Sequence, residues 1–437
     1  MLDRVRFALR ALRHRDLQLF LFGQSISLTG TWMQQVAMSW LVYRMTGSAL
    51  MLGVIAFCSQ FPTFLVAGVA GALADRWSRY RMVVVAQTAL MIEAVLLAVL
   101  VLTGRVQVWH LIVISVYSGI ASGFDVPARQ ALLVKLVQGS DDLANAIALN
   151  SSIFNGARLV GPAVAGLLIG MVGEGPVFAL NALSYLAVLW ALWALDARDE
   201  GRGARSGGAA AVLRTMGEGY RYAFGFPPIR ALLVLLALIS VMGLPYAVLL
   251  PAFASDVLHG GATTLGLLSA AAGFGALAGA LSLASRSTVW GLGIVIVRCT
   301  ALFGASLIAF ALSRNLWLSM FALMCAGFGI MVTTAAMNTV IQTLVEENMR
   351  GRVMALYTMA FIGLSPVGGL MGGALADRVG APVTGAIGGV CCIGLALWFW
   401  RQLPPLREMV RPIYQRMGII PEVAVGLQAV SEVPPHE

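Results

Sequence analysis

Residues 70–102 read AGALADRWSRYRMVVVAQTALMIEAVLLAVLVL. Asp75, Arg76, Arg79 and Arg81 form a charged cluster, and a run from Val83 to Leu102 follows in which Gln87, Thr88 and Glu93 are the only polar side chains. At ~1.5 Å of helical rise per residue, such a run crosses the roughly 30 Å hydrocarbon core of a bilayer. A strand buried in a parallel sheet also reads as a continuous apolar run, but only for about 4–8 residues. No charged amphipathic helix lies between the runs to cover a sheet. The stretch is therefore read as a membrane-spanning helix entered from a charged loop.

The same pattern repeats outward in both directions. The chain is 59% hydrophobic and 11% charged, against about 45–50% and about 25% in soluble globular proteins. Twelve spans are expected, at 17–39, 47–73, 81–102, 108–137, 146–171, 175–195, 229–254, 262–284, 290–312, 315–341, 352–375 and 381–400. This is an all-α polytopic membrane protein. Before the first span, residues 1–16 set Leu2, Val5, Leu9 and Leu12 at helical spacing against Arg6, Arg10 and Arg13, as in an interfacial amphipathic segment. Between the sixth and seventh spans lies a polar, glycine-rich linker, 196–228, whose later part has the composition of a surface helix. The expected organisation is a six-helix lobe at 17–195, the linker, a second six-helix lobe at 229–400 and a tail at 401–437.

Charge placement gives the orientation. Of the 29 Lys and Arg residues, Arg44, Arg105, Arg314 and Arg378 fall in loops on one side, and Arg129, Arg158 and Arg298 fall inside spans. The remaining 22 lie on the side of the amino terminus. Lys and Arg are retained on the cytoplasmic face, so both termini are expected there and the protein in a bacterial cytoplasmic (inner) membrane. The net charge of +9 then reflects topology. No compact basic domain with interleaved aromatics points to nucleic acid.

The halves carry a faint repeat. Spans four and five, and spans ten and eleven, share a small-residue stretch, Leu-Val before an acidic inner loop, and a late proline among glycines, Pro162 and Pro366 respectively. Parallel repeats of this size build a two-lobed transporter around a central cavity. The hexapeptide GALADR also occurs twice, at 71–76 and 373–378. Its spacing departs from the repeat offset, so the second copy, on the opposite side, is read as a look-alike.

Soluble-enzyme chemistry finds no support. His14, His110, His259 and His436 show no ligand spacing, and Cys391 and Cys392 adjoin in an apolar helix. The chain contains no Walker G-x-x-x-x-G-K-[ST] and no G-x-S-x-G. No catalytic residue, metal site or cofactor is expected.

The chain resembles the major facilitator superfamily over nearly its full length. GALADRWSRYR matches the signature G-x-x-x-D-R-x-x-R-[RK] through Gly71, Asp75, Arg76 and Arg79, with Arg81 one place late. NGARLVGPAVAG resembles the antiporter signature ending G-P-x-x-G-G through Gly161, Pro162 and Gly166, with Ala165 in place of one glycine and Gly156 one place off. WMQQVAMSWLVYRMTGSALMLG and DVPARQALLVKLV resemble the branch of enterobactin exporters and macrolide efflux proteins. The resemblance implies a loop of Gly71, Asp75, Arg76, Arg79 and Arg81 that gates the cytoplasmic ends of the lobes. Without it, the loop reads as topology and solvated charge.

Ionisable groups inside spans are costly and mark function or internal pairing. Asp125 lies ~18 Å from the inner end of its span and Glu93 ~19 Å. Either is a candidate proton carrier, with Arg129, Arg158 and Arg298 as charge partners. Arg129 is four residues after Asp125 and shares its helix face, so a permanent salt bridge is the competing reading. Gln24, Trp32, Gln35, Tyr246, Thr333, Asn338, Gln342 and Tyr357 are candidate cavity residues, with core packing as the alternative. Pro127, Gly156, Gly161, Pro162, Gly166 and Pro366 are candidates for a hinge or seal, or for close packing. The expected function is efflux of a small amphipathic or hydrophobic solute (a drug, siderophore or secondary metabolite) by a monomer, through alternating access and in exchange for protons. An uncoupled facilitator or importer is the alternative. A scaffold or receptor is a third class, disfavoured by the cost of polar groups at mid-membrane.

Overall fold

The computed structural model describes residues 10–74, 78–137, 142–195, 209–286 and 288–417. After a short 3-10 turn, Arg10–Arg13, come α1 (Arg15–Thr46), α2 (Ala49–Ala74), α3 (Arg79–Leu102), α4 (Val108–Leu136), α5 (Leu143–Val172) and α6 (Glu174–Trp193). The linker carries α7 (Ala209–Gly225). The seventh span is α8 (Pro227–Met242), α9 (Pro245–Ala252) and a π-helical turn, Phe253–Val257. Then come α10 (Ala262–Ala284), α11 (Leu292–Leu312) and α12 (Leu316–Leu344). The eleventh span is α13 (Glu347–Thr358), a π turn at Met359–Gly363 and α14 (Ser365–Val379), and α15 (Ala381–Arg416) closes the series.

Eleven of these stretches are long and apolar enough to cross a membrane. The twelfth, α1, has 32 residues and is more polar, because Gln24 and Ser27 are buried inside its lobe. Helix α1 runs seven residues past the expected end at 39. It stops where Gly47 takes a left-handed φ of 60° and donates its N–H to the Tyr43 carbonyl at 2.7 Å, a turn that glycine adopts without strain. Helix α15 runs well past 400. Its two prolines at 404 and 405 are exposed, so water can take the carbonyls they leave free. Large apolar side chains such as Val85, Leu96, Leu167 and Met171 face outward, with Trp193, Trp290 and Trp400 near one end and Trp109 and Trp317 near the other. These are the lipid face and the two aromatic belts of a membrane protein.

Helices α1–α6 form one lobe and α8–α15 the other. We call the end bearing Arg15, Arg79, Lys135, Arg286 and Arg352 the basic end. At that end Asp142 binds Arg10 at 2.8 Å and Arg13 at 3.4 Å, and Glu218 of α7 binds Arg352 at 2.6 Å. The start of the chain is thus tied to the first lobe there, and the linker helix to the second.

Between the lobes the contacts are one-sided. Antiparallel α5 and α10 cross where a Cβ on Gly166 would sit 2.8 Å from Gly266, and Thr263 donates its hydroxyl to the Gly166 carbonyl at 3.1 Å. Antiparallel α2 and α14 approach where a Cβ on Gly53 would sit 2.7 Å from the Gly369 carbonyl oxygen. These contacts lie at the end opposite the basic one. Among the described residues, every hydrogen bond between the lobes lies there. The apolar core divides accordingly. Val36, Leu41, Leu52 and Phe178, in the opposite-end half of the first lobe, are continuous with the core of the second. The basic-end half, with Phe20, Val83, Leu132 and Val188, forms a core of its own. The lobes are joined at the opposite end, and among the described residues they share no core at the basic end.

Candidate functional site

Two polar networks cross the first lobe at mid-depth. In the first, Gln34 of α1 donates its amide to both Glu93 oxygens, at 3.0 and 2.8 Å. Asn181 of α6 donates to the Gln34 carbonyl oxygen at 2.7 Å. Glu93 is 1% exposed, and no cation among the described residues lies within ion-pair distance of it. In the second, Asp125 accepts from the Gln87 amide at 2.7 Å and lies 3.5 Å from Arg129. Arg129 donates to the Gln24 amide oxygen at 2.7 Å. Gln24 Nε2 and Gln87 Oε1 are buried without a protein partner. Of the candidate charge partners, Asp125 meets Arg129, on its own helix.

Arg158 turns elsewhere. Its guanidinium stands over the Trp32 ring at 5.8 Å, and Phe154 meets that ring edge-on, with centroids 5.8 Å apart. The Arg158 carbonyl lies 3.3 Å from where a Cβ on Gly273 of α10 would be. The arginine therefore stands at the boundary of the lobes near mid-depth, with no carboxylate of the described residues in ion-pair reach. Arg298 is exposed on α11, about 9 Å from its start at ~1.5 Å per residue, and likewise has no acid partner there.

Other sequence candidates divide by burial. Gln35 and Gln342 are exposed and Asn338 is half-buried, with Gln342 donating to Asn338 at 2.5 Å. Tyr246 is buried with its ring edge against Phe303. Thr333 is buried beside Thr300 at 3.4 Å, and Tyr357 donates its hydroxyl to the Thr334 carbonyl at 2.9 Å. All three have a partner within the second lobe. Asp75 and Arg76 fall outside the described residues. Gly71 sits in the last turn of α2. Arg79 opens α3, and the Arg81 N–H donates to the Ser78 hydroxyl at 3.3 Å. Pro127 and Pro162 lie inside α4 and α5. Gly161 packs on Trp32, while Gly156 has open space beside it. Pro366 stands in the first turn of α14, just after the π turn.

Gln34, Asn181 and Phe154 were not anticipated. Each is an ordinary polar or aromatic side chain in a helix, and only tertiary packing gives it a partner. The signal that did exist was Glu93 itself, a carboxylate with no basic residue within a helical turn. An apolar cavity of about 240 Å³, lined by Leu232, Ile296, Phe399 and Tyr414, lies inside the second lobe, away from the boundary. Among the described residues, no His, Cys, Asp and Glu cluster fit for a metal ion occurs.

The Asp125 pair makes a stability prediction. Arg129→Leu leaves Asp125 buried with only an amide, and should destabilise the protein by on the order of 3 kcal/mol. Unfolding in detergent micelles measures this. Adding Asp125→Asn to the same chain should recover much of the loss. An Arg129→Leu protein as stable as the parent contradicts the pair.

Residues 8–425 match the family described as transmembrane secretion effector. The multidrug efflux pump Tap of Mycolicibacterium fortuitum is 26% identical over 373 residues, covering 84% of this chain and 91% of that protein. The staphyloferrin A transporter of Staphylococcus aureus is 24% identical, covering 87% and 95%. Among solved structures, a POT family transporter in complex with 5-aminolevulinic acid superposes with a TM-score of 0.71 at 11% identity, covering 90% of this chain and 96% of that one. Matches of this kind, together with two pseudo-symmetric helix bundles, give the major facilitator fold.

Proposed function

We propose that this chain, which belongs to the transmembrane secretion effector family, exports a small amphipathic solute in exchange for protons. As a member with the major facilitator fold, it moves a small solute across a membrane by alternating access. The lobes are taken as 17–195 and 229–400, moving about the linker at 196–228. The basic end is assigned to the cytoplasm, because Lys and Arg are retained on that face. With the lobes joined at the opposite end, the structure then corresponds to a state that admits solute from the cytoplasm or inner leaflet.

The observation that carries the cargo reading is Arg158 with Trp32 and Phe154. A cation at the lobe boundary, with no acid partner among the described residues and set over an aromatic face, suits a flat amphipathic solute bearing a negative group. Exposed Gln35, half-buried Asn338 and exposed Gln342 would supply adaptable polar contacts. The similar pumps carry drugs or a siderophore by their names, which accords with a solute of this class. Glu93 is assigned the proton. A carboxylate buried without a cation costs about 2.5–3.5 kcal/mol on insertion scales, and a bound proton removes that cost. Asp125 already has Arg129, so it is the second choice.

The experiment is an untargeted metabolite comparison of cells with and without the gene, inside and outside. One amphipathic anion should accumulate inside the deletion strain and disappear from the medium. If extracellular and intracellular profiles stay unchanged while the protein is expressed and inserted in the parent, the export reading fails. A solute depleted inside the deletion strain would instead favour an importer.

A further inference from the structure

The second GALADR, at 373–378, lies on the last turns of α14. Its aspartate reaches into the other lobe. Asp377 Oδ2 accepts the Ser48 hydroxyl at 2.8 Å, and Oδ1 accepts the Leu50 N–H at 3.1 Å. Ser48 and Leu50 flank the start of α2, where the first N–H groups have no partner within the helix. The Ser48 hydroxyl accepts the Met51 N–H at 3.2 Å as the local cap, and an anion from α14 of the opposite lobe adds a second cap on Leu50 and complements the positive end of that helix. The motif explains the reach. Gly373 is one helical turn before Asp377 and on the same face. A Cβ on it would sit 2.5 Å from the Ala49 carbonyl oxygen, so the glycine lets the backbones close and the aspartate fixes them. Beside this contact, Tyr43 of α1 donates its hydroxyl to Asp256, which the π turn at the end of the seventh span presents.

We propose that Asp377 is a positioning residue of the transport cycle: it holds the opposite end of the lobes shut and must release α2 before solute can leave there. The proposal rests on alternating access by this fold, and not on the identity of the cargo or on proton coupling. A relation hidden from the repeat offset makes the duplication meaningful. Helices α2 and α14 are antiparallel neighbours across the boundary; α2 ends on the GALA of the first copy, 71–74, and α14 carries the second copy in its last turns, one at each end of the molecule. The capping contact costs little to break in water, since Ser48 and Asp377 are at the exposed rim. That suits a contact made and broken in each cycle.

The test replaces the five native cysteines with alanine and puts a single cysteine at Ala262, which is buried in the separate α5–α10 contact. Alkylation by a membrane-impermeant maleimide, added from the side of the opposite end, reports opening of the whole end. Asp377→Ala should raise the rate about tenfold, the size of a charge-assisted hydrogen bond at a helix start. Ser48→Ala, made in the other lobe, should raise it less, and the double variant should add little to Asp377→Ala alone. Asp377→Asn keeps the shape and should fall between. A merely structural role would lower thermal stability without this selective gain. Unchanged alkylation in correctly inserted Asp377→Ala and Asp377→Asn overturns the proposal. So does an equal rise at a control cysteine placed at the basic end and alkylated from that side. Loss of the proposed export with the alkylation pattern intact would refute the cargo reading and leave the Asp377 assignment standing.

Discussion

Glu93→Gln should abolish uphill transport while leaving downhill exchange. The variant keeps an amide partner for Gln34, so the α1–α3–α6 network is expected to persist, but the site is fixed in its neutral form. One proton exchanged per solute across a gradient of one pH unit can drive at most about a tenfold accumulation, equivalent to roughly 1.4 kcal/mol. In vesicles holding the solute found by the metabolite comparison, the parent should approach that ratio when the side opposite the basic end is acidic. The sign follows from antiport: protons enter where they are abundant and leave on the cytoplasmic side, and solute moves the other way. The variant should settle near a ratio of one, and counterflow of labelled against unlabelled solute should continue. If Glu93→Gln still accumulates solute against its gradient and Asp125→Asn does not, the proton belongs to Asp125. The ion pair with Arg129 would then be a switch as well as a brace.

Arg158→Leu should cost affinity for an anionic solute rather than turnover of the empty carrier. A hydrogen bond to a charged group is worth about 1.5–3 kcal/mol, so the apparent KM should rise on the order of ten- to a hundredfold. Arg158→Lys keeps the charge but loses the flat face that stands over Trp32, and should recover part of the loss. Equal KM in the parent and Arg158→Leu would remove this arginine from the binding region. Both variants leave the Asp125–Arg129 pair and the contacts at the opposite end in place, so a general loss of folding would be visible separately as reduced stability.

The architecture was legible because a bilayer permits few alternatives. Each run such as 83–102 had to be a helix. Local pairing was legible too: Asp125 and Arg129 are four residues apart, and the structure joins them. What failed to show was everything that depends on chain segments far apart. Gln34 and Glu93 are 59 residues apart, and nothing in either neighbourhood names the other. Arg158 was offered Asp125 as a partner, yet it lies against Trp32 because α5 meets α1 along its Gly161 face. Tyr246 and Thr333 read as cavity residues by polarity and span, and only the fold supplies the neighbours that Phe303 and Thr300 are to them. The GALADR copy at 373–378 was set aside for missing the repeat offset, whereas its partner is the start of the antiparallel neighbour, 329 residues away. The π turns at Phe253–Val257 and Met359–Gly363 have no sequence marker of their own.

In the proposed cycle the lobes, joined at one end, exchange that closure for closure at the basic end. Paired spin labels follow the exchange. One pair is placed at Leu143 and Glu347, exposed on the two lobes at the basic end, and a second at Arg105 and Arg314, exposed at the opposite end. Pulsed dipolar distances are recorded at rest, with Asp377→Ala, and with solute and an imposed pH gradient. The account predicts two populations that exchange reciprocally, with the basic-end distance shortening as the opposite-end distance lengthens. A single unchanged distance at both ends during measured transport, or both ends opening together, would contradict it.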